Sequence, residues 1–460
     1  MKGCEKMKLA VIGGGGVRSM FLAKSIAARA DELNIDKLVF MDNDETKLNI
    51  YGKMAKHVAY LLCPELDFEI TTDALRAVKD ADYVITTIRE GGDDMRVRDE
   101  KIALSHGVLG QETTGAAGLS FAMRSVNALV EYCEMVKKYA KKNCKVFNFT
   151  NPAGVVSQTL RDLGYDFTYG ICDAPSGMLR SFAILYTDEE TAAKGEIYGL
   201  NHLSYFSSVK INGKEMLSEL IENDEAYELT DLRYFEKRLL KERHAILNEY
   251  LYYFYYREKA LGNILAAEKT RGELIAEYNR NMTAELSKLD IDRDFDRAFE
   301  IFEHWYGERE ANYMAAETGI KRKNPWHFNI FEKDNGGYAG VALKFIEIEQ
   351  SGKTDSMILC TANNGAIEGL RDDDIVEITC DITPNGAIPH KMNNIDEQNF
   401  ELIRRVKIYE RLASKAIREK SKQAAVEALT LHPLVNSYSI ATKLIDEYLE
   451  LNKEYTSDWR

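Results

Sequence analysis

A short apolar run that ends in four consecutive glycines is the feature that most restricts the fold of this chain. Residues 8–12 (KLAVI) lead directly into glycines 13–16. A buried strand that ends in glycines is typical of a turn whose backbone N–H groups approach a pyrophosphate. We expect a helix over residues 20–30 and a second strand over 38–41, ending at an acid that can accept hydrogen bonds from a ribose diol. The pattern predicts a dinucleotide site formed by Gly13, Gly15, Gly16 and Asp42.

This glycine pattern departs from the usual G-x-G-x-x-G fingerprint in two respects. The third glycine would stand at position 18, where the chain has Arg18. Asp42 follows Gly13 by 42 − 13 = 29 residues, whereas the usual spacing is about 20. A tight strand-to-helix turn that binds no ligand is therefore the alternative interpretation.

Two further apolar strands are expected, over residues 83–88 and 145–150. Strands that alternate with helical stretches predict an α/β fold with a mostly parallel sheet. Ligands bind outside the carboxyl ends of such strands, so Arg89 and Asn151, which follow these two strands, are candidate binding residues. The alternatives are a surface ion pair for Arg89 and a turn residue before proline for Asn151.

Cys172 and His202 each follow a predicted strand, over residues 167–171 and 197–201. Thiolate and imidazole both bind transition metals. Two protein ligands would leave coordination positions open for substrate oxygens. The alternative is a buried cysteine that acts as a small apolar residue, together with a structural histidine.

The composition excludes several classes of protein. Lys and Arg total 60 and Asp and Glu total 74, which gives a net charge of −14 and argues against nonspecific binding to nucleic acid. The chain has neither an apolar stretch of about 18 residues nor the apolar core of a signal peptide, so we expect no membrane association and no secretion. Its seven cysteines are an odd number without a CxxC pair, which favours the reduced cytoplasm over a disulfide framework.

The remainder of the chain carries weaker signals. Residues 230–320 and 396–455 are expected to be mainly helical, whereas 337–350 and 374–381 alternate as strands do. Little in the sequence marks a domain boundary, and we place it near residue 195, which divides the chain into domains 1–195 and 196–460.

Several motifs together resemble glycoside hydrolase family 4, the nicotinamide- and metal-dependent glycosidases. The resemblance runs through nearly the whole chain and is greatest to the 6-phospho-β-glucosidase branch. The matching segments are VIGGGG (11–16), GVLGQETTG (107–115), NFTNPAG (148–154), GICD (170–173), YGLNHL (198–203), NEYLYY (248–253), NNG (363–365) and HPL (432–434).

The resemblance implies a fold, cofactors and partners. The fold would be an N-terminal Rossmann-type domain similar to lactate and malate dehydrogenases, followed by a C-terminal mixed α/β domain. The cofactors would be NAD and a divalent metal, which we expect to be Mn²⁺. The substrate would be a phosphorylated disaccharide or an aryl glucoside phosphate, and the chain would assemble as a homodimer or homotetramer.

The resemblance also implies a reaction that differs from the two-carboxylate scheme of most glycosidases. NAD-dependent oxidation at C3 of the sugar is followed by deprotonation at C2, elimination of the aglycone, addition of water and re-reduction. In this scheme Cys172 and His202 hold the metal, Tyr250 takes the C2 proton and Asp173 assists the leaving group. A tyrosine needs a neighbouring cation to act as this base, because its ordinary pKa is about 10. The implied substrate-binding residues are Arg89, Asn151, Arg271 and Ser19.

The residue after Cys172 does not decide which anomer of the glycoside is the substrate. The β branch usually has Asn at this position and the α branch has Asp followed by Met-Pro, whereas Asp173 here precedes Ala174 and Pro175. A 6-phospho-α-glucosidase or a dual-anomer enzyme is therefore the first alternative to a 6-phospho-β-glucosidase. An NAD-dependent 2-hydroxy-acid dehydrogenase, which would accumulate NADH, and a nonenzymatic NAD-binding sensor are more distant alternatives.

Overall fold

Strands and helices alternate at the start of the chain, as expected for an α/β protein. The computed structural model describes residues 6–322, 326–333, 339–383 and 386–460. In chain order the strands are β1 (Met7–Ile12), β2 (Ile35–Met41), β3 (Asp67–Thr71), β4 (Tyr83–Thr86), β5 (Lys145–Asn148), β6 (Thr168–Gly170), β7 (Ala193–Leu200), β8 (Leu203–Ile211), β9 (Lys214–Glu215), β10 (Ile246–Leu247), β11 (Asp355–Ala362), β12 (Ile375–Thr383) and β13 (Gly386–Pro389).

Helices form the larger part of the chain after β9. In chain order they are α1 (Ser19–Ala27), α2 (Glu45–Lys47), α3 (Lys53–Leu62), α4 (Ala74–Val78), α5 (Gly92–Ser105), α6 (Gly115–Tyr139), α7 (Ala153–Asp162), α8 (Ala174–Ile184), α9 (Leu217–Glu222), α10 (Asp224–Leu229), α11 (Lys237–Arg243), α12 (Tyr252–Tyr255), α13 (Arg257–Ala266), α14 (Arg271–Leu286), α15 (Phe295–Ala311), α16 (Ala315–Thr318), α17 (Gly340–Ser351), α18 (Glu397–Glu419), α19 (Lys422–Leu431), α20 (Tyr438–Leu451) and α21 (Lys453–Thr456). Shorter 3₁₀ segments occur at Glu190–Ala192, Asp231–Tyr234 and Glu249–Leu251, and a π turn at Leu48–Gly52. Within the described residues, no helix combines the length and the apolar character that crossing a membrane requires.

The chain forms two compact units, each assembled from three separate segments. The first unit comprises residues up to 98, 127–150 and 263–350. The second comprises residues 99–126, 151–262 and 351–460. The domain boundary near residue 195 stays a prediction, since no single cut along the chain separates these two units.

The first unit is built on a parallel sheet with the strand order β5-β4-β1-β2-β3. In its centre, Val11 of β1 pairs with Phe40 of β2 and with Ile85 of β4. Residues 9–12 of β1 are completely buried, as is typical of a central parallel strand that is covered on both faces. The predicted α/β class with a mostly parallel sheet is confirmed. The parallel register also brings the ends of β1 and β2 to the same edge of the sheet.

An aromatic cluster attaches α15 to α1 in the first unit. Phe21 of α1 contacts Phe302 and Tyr306 of α15, with ring centroids 5.7 and 4.9 Å apart. Trp326 and Phe328 complete the cluster around Phe21. Edge-to-face aromatic contacts of this kind add to the free energy of apolar burial, and here they position the carboxyl half of α15.

The second unit contains two antiparallel arrangements of strands. In one, with the order β13-β12-β11-β6, Cys360 of β11 pairs with Gly170 of β6 and with Glu377 of β12. In the other, β8 pairs with β7 and β10, and β9 pairs with β8. Pairing between the last residue of β7 and the first residue of β8 leaves a two-residue turn, Asn201 and His202. The mixed α/β character predicted for the C-terminal part is confirmed.

One prediction of secondary structure is wrong. Residues 340–351 form helix α17, where a strand was predicted over 337–350; residues 337 and 338 lie outside the described residues. The alternation around Glu347 and Glu349 resembles a strand, but the apolar residues further upstream also recur at helical spacing and pack into the core. The buried residues of α17 are Val341, Ala342, Leu343, Phe345, Ile346 and Ile348. The strand predicted over 374–381 is confirmed as β12.

Candidate functional site

The glycine turn at the end of β1 is held by backbone hydrogen bonds and by Asp42. The amides of Gly13 and Gly14 both donate to the carbonyl of Met41, at 2.8 Å. The amide of Gly15 donates to Oδ2 of Asp42 at 2.9 Å. A Cβ atom added to Gly13 would lie 2.6 Å from the carbonyl oxygen of Thr87, and one on Gly15 would lie 2.9 Å from Cγ of Asp42. Glycine is therefore required at both positions for the turn to close.

Asp42, Gly16 and Ser19 occupy different places around this turn. Asp42 is partly buried, and burial raises the pKa of its carboxyl even though two backbone N–H groups donate to it. Gly16 is the exposed glycine of the turn. Ser19 is 1% exposed and its hydroxyl donates to the carbonyl of Gly14 at 2.6 Å. A substrate contact by Ser19 would thus require this internal hydrogen bond to be exchanged.

Arg89 and Arg271 are both partly exposed in the first unit. Nε of Arg89 lies 3.9 Å from Oδ1 of Asp93. Arg271 begins α14, where a capping box of Thr270 and Glu273 fixes the start of the helix. The Arg271 guanidinium lies over the ring of Tyr313, 4.7 Å from its centroid. Each arginine keeps solvent-accessible surface through which it can meet an anion.

Cys172 and His202 are brought together in the second unit. Sγ of Cys172 lies 3.6 Å from Nε2 of His202. Cys172 follows β6, and His202 is the second residue of the β7–β8 turn, with φ of +61°, a conformation in which histidine is enriched among non-glycine residues. Burial lowers the pKa of His202 to about 4, so its imidazole is neutral at physiological pH. Burial, followed by the nearby charges of Glu377 and Asp173, raises the pKa of the Cys172 thiol.

These two donors fit a divalent cation by their chemistry and placement. A soft sulfur atom and a neutral imidazole nitrogen converge within one coordination sphere. Within the described ranges, no group of three or more His, Cys, Asp or Glu side chains is placed to hold a metal. A cation held by two protein ligands alone would have coordination positions open to substrate oxygens.

Tyr250 lies directly against His202. Their rings are stacked, with centroids 4.0 Å apart and an interplanar angle of 21°. The pairing of β10 with β8 brings this segment beside the β7–β8 turn. The side chain of Asn248 accepts a hydrogen bond from the Tyr250 amide at 3.0 Å and caps the short turn that carries the tyrosine. The phenol is thereby positioned next to the thiol–imidazole pair.

Asp173 and Asn151 also lie in the second unit, and both are partly exposed. Asp173 is the N-cap residue of α8, but its carboxylate makes no capping hydrogen bond to the helix. Asn151 precedes α7. The predicted site residues thus fall into two groups. Gly13, Gly15, Gly16, Ser19, Asp42, Arg89 and Arg271 belong to the first unit, and Asn151, Cys172, Asp173, His202 and Tyr250 belong to the second.

Glu377 is a buried residue beside the thiol–imidazole pair that the sequence analysis missed. Its carboxylate accepts hydrogen bonds from Nδ2 of Asn201 at 2.9 Å and from the Ser204 hydroxyl at 2.7 Å. Asn201 is the first residue of the β7–β8 turn and Ser204 lies in β8. The two hydrogen bonds therefore connect the turn that carries His202 to Glu377 on strand β12. An acid in the otherwise apolar run over residues 375–378 is the signal by which it could have been found.

We expect the pKa of Glu377 to make stability depend on pH. Burial raises this pKa from 4.5 to about 7, so the folded chain holds the proton more tightly than the unfolded chain. Its contribution to stability is complete below about pH 4.5 and is lost as the pH rises through about 7, by about 3 kcal/mol in all. Scanning calorimetry of the metal-free protein should show the thermal midpoint of the wild type falling relative to that of Glu377→Gln across this range. If the thermal midpoints of the wild type and Glu377→Gln change in parallel with pH, the raised pKa of Glu377 is contradicted.

Two family models together cover almost the whole chain. The model for the family 4 glycosyl hydrolases matches residues 8–187, and the model for the family 4 glycosyl hydrolase C-terminal domain matches residues 197–435. A probable 6-phospho-β-glucosidase of Bacillus subtilis is 30% identical over 459 residues, which cover 98% of this chain and 97% of the relative.

Solved structures agree with this similarity over the full length. The 6-phospho-β-glucosidase of Thermotoga maritima with manganese, NAD⁺ and glucose 6-phosphate has a TM-score of 0.79 at 29% identity, covering 98% of this chain and 99% of that one. A 6-phospho-α-glucosidase from gut microorganisms in complex with NAD and glucose 6-phosphate has a TM-score of 0.80 at 25% identity, covering 99% and 100% of the two chains.

A more distant likeness concerns the fold alone. Malate dehydrogenase of Cryptosporidium parvum has a TM-score of 0.50 at 12% identity, covering 90% of this chain and all of that one. This agrees with the predicted similarity in fold to lactate and malate dehydrogenases. The family matches and the full-length relatives together confirm the resemblance seen in the sequence motifs: the chain belongs to family 4 of the glycosyl hydrolases.

Proposed function

We propose that this protein hydrolyses 6-phospho-glucosides, with 6-phospho-β-glucosides favoured, and that it uses NAD and a divalent metal, which we expect to be Mn²⁺. The observation that carries the proposal is the arrangement of Cys172, His202 and Tyr250, with a thiol 3.6 Å from an imidazole whose ring stacks on a phenol. In a family 4 chain, this arrangement supplies a cation site and a base side by side.

The residues of the second unit divide the chemistry among them. When bound, the nicotinamide supplies a hydride acceptor for C3 of the sugar, and the divalent cation supplies a Lewis acid for the neighbouring sugar oxygens. Cys172 and His202 hold the cation. Tyr250, beside His202, takes the proton from C2. Asn151 orients the sugar hydroxyls.

The residues of the first unit bind the charged parts of the ligands. Gly13, Gly15 and Gly16 let backbone N–H groups approach a pyrophosphate. Asp42 at the end of β2 accepts a hydrogen bond from a ribose hydroxyl. Arg89 and Arg271 hold the 6-phosphate of the sugar, because the planar guanidinium binds phosphate oxygens in pairs. Ser19 is a weaker candidate for binding the substrate, because its hydroxyl already donates to the carbonyl of Gly14.

An assay of paired substrates tests this function. The α- and β-nitrophenyl glucoside 6-phosphates, with the unphosphorylated glucosides as controls, are incubated with and without NAD⁺, Mn²⁺ and a reductant. We expect nitrophenol release only from the phosphorylated substrates and faster for the β anomer. The release should depend on both NAD⁺ and Mn²⁺ and produce no net NADH. Accumulating NADH would identify a dehydrogenase instead. Activity in an enzyme stripped of both cofactors would overturn the mechanism.

A 6-phospho-α-glucosidase is the second candidate, because Asp173 stands where the β branch usually has Asn. The carboxylate of Asp173, which makes no capping hydrogen bond to α8, is proposed to protonate the leaving oxygen. General acid catalysis contributes about 10²–10⁴-fold to a rate. We expect Asp173→Asn to lose a comparable factor in kcat on an alkyl glucoside 6-phosphate but little on the nitrophenyl substrate, whose leaving group needs no protonation. Equal losses on both substrates would reject this role.

We also propose that the protein acts in the cytoplasm as a homodimer or homotetramer. A reduced compartment is supported by the seven cysteines, none of which lies in a CxxC pair, and by the thiolate that Cys172 must supply to a metal. Light scattering coupled to size-exclusion chromatography tests the assembly, and a monomer at micromolar concentration would contradict it.

A further inference from the structure

Helix α15 presents two side chains near the start of α1 in the first unit. Tyr306 packs on Phe21 of α1, and Arg18 hydrogen-bonds to its hydroxyl. Arg309 follows three residues later, and its guanidinium carbon lies 5.4 Å from the Tyr306 ring centroid. Because residues i and i+3 share a helix face, Arg309 faces the same region as Tyr306 and Arg18.

Arg309 carries a donor that the described residues do not satisfy. Its Nε–H is buried and has no hydrogen-bond partner among them, whereas the side chain as a whole is partly exposed. A buried N–H without an acceptor costs free energy. Burial, together with the guanidinium groups of Arg18 and Arg271, also lowers the pKa of Arg309. Both observations indicate a site where an anion from solvent would accept this hydrogen bond and offset the positive charges.

Among the described residues, the charged groups that act on Arg309 include two guanidinium groups, those of Arg18 and Arg271, and the carboxylate of Glu310. Burial alone would raise the pKa of Asp93, but Arg89, a hydrogen bond from Asn279, Arg96 and Arg309 together hold it below its usual value. The two carboxylates named in these contacts are both engaged. Asp93 accepts from Asn279 at 2.7 Å, and Glu310 accepts from Arg322 at 3.0 Å.

We propose that Arg18 and Arg309 bind the phosphate monoester of the substrate together with Arg89 and Arg271. This inference rests on the proposed function and extends the phosphate site to two residues that no motif indicated. A phosphate dianion offers three oxygens, which several guanidinium forks can share. Arg18 stands where the fingerprint would have its third glycine, so the departure from the glycine pattern supplies a cation at the turn.

The same chemistry has a second possible source, because the cofactor also carries phosphate. The two sources can be separated by experiment. If the arginines bind the substrate, replacing them weakens the binding of glucose 6-phosphate but not that of glucose. If they bind the cofactor, replacing them weakens the binding of NAD⁺. The substrate is favoured because Arg271, a proposed phosphate-binding residue, is among the charged groups that act on Arg309.

Calorimetric titration of the purified protein tests the proposal with glucose 6-phosphate, glucose, inorganic phosphate and NAD⁺ as separate ligands. The variants are Arg309→Lys, which keeps the charge but removes the Nε–H fork, Arg309→Ala and Arg18→Gln. The matched control is Arg297→Ala on the same helix, because Arg297 is exposed and pairs with Glu300 at 2.6 Å. Thermal midpoints verify that each variant folds.

We expect each Arg309 variant and Arg18→Gln to bind glucose 6-phosphate about tenfold to hundredfold more weakly. The affinity for NAD⁺ should stay the same, and Arg297→Ala should match the wild type. Unchanged glucose 6-phosphate binding in the folded Arg309→Lys and Arg18→Gln variants would overturn the proposal, as would a loss confined to NAD⁺. If the wild type binds inorganic phosphate more tightly than the Arg309 variants do and yet hydrolyses no phosphorylated glycoside, that result would support the anion site and reject the proposed function.

Discussion

Replacing Cys172 with serine is expected to weaken Mn²⁺ binding by at least about a hundredfold, since loss of even an outer-shell partner of a metal ligand costs about 10–100-fold. The hydroxyl of serine is a harder and far less acidic donor than a thiol, so it cannot replace the thiolate beside Nε2 of His202. Hydrolysis of the nitrophenyl substrate should fall in parallel and recover in part at high Mn²⁺. Titration of the metal by electron paramagnetic resonance gives the affinity directly.

Cys380→Ser is the matched control for this substitution. Cys380 is buried on β12, and its thiol donates to the carbonyl of Met357 at 3.4 Å, so the replacement tests the cost of putting serine at a buried cysteine. We expect it to lower the thermal midpoint slightly and to leave the Mn²⁺ affinity unchanged. An unaltered affinity in Cys172→Ser, or an equal loss in both variants, would remove Cys172 from the metal site.

Replacing Tyr250 with phenylalanine should lower kcat by about 10²–10⁴-fold, the usual contribution of a general base. Phenylalanine keeps the ring that stacks on His202 at 4.0 Å, so the fold, Mn²⁺ binding and glucose 6-phosphate affinity should all be retained. The same variant should also stop the exchange of the C2 hydrogen with D₂O, which nuclear magnetic resonance can follow.

The neighbouring Tyr253 provides the control for Tyr250. Its ring centroid lies 6.1 Å from that of Tyr250 and it is 1% exposed. Tyr253→Phe therefore removes a hydroxyl from the same segment and leaves the Tyr250 ring that stacks on His202 in place. We expect its turnover to remain close to that of the wild type. Wild-type exchange at C2 in Tyr250→Phe would assign the base to another residue.

Local patterns were sufficient to predict most of the first unit. The apolar runs that became β1, β2, β4 and β5 are short and end at recognisable turn residues, and glycines 13–16 could occupy only a tight turn. The error at α17 arose because a segment of five residues with alternating character is compatible with the period of a strand and with that of a helix. Packing against the rest of the unit decided between them, and that information is not local.

The second unit shows why distant residues were harder to assign. The motifs singled out Cys172, His202 and Tyr250, but they did not give the 3.6 Å thiol–imidazole distance or the stacked rings. Those follow from the register of β7 with β8 and of β10 with β8. Glu377 was missed because its importance depends on Asn201 and Ser204, which are far from it in the sequence.

By itself, the sequence determined the α/β class, the glycine turn with Asp42, the family and the residue types that can bind a metal and a phosphate. These features depend on neighbours in the chain, or on motifs that are specific as a set. Only the tertiary structure decided that Glu377 supports the His202 loop and that Arg309 joins Arg18 near the turn. In both cases, segments that meet only when the core forms decide whether a polar group has a hydrogen-bond partner. Burial and strand register set these contacts, and neither can be predicted from a local sequence pattern.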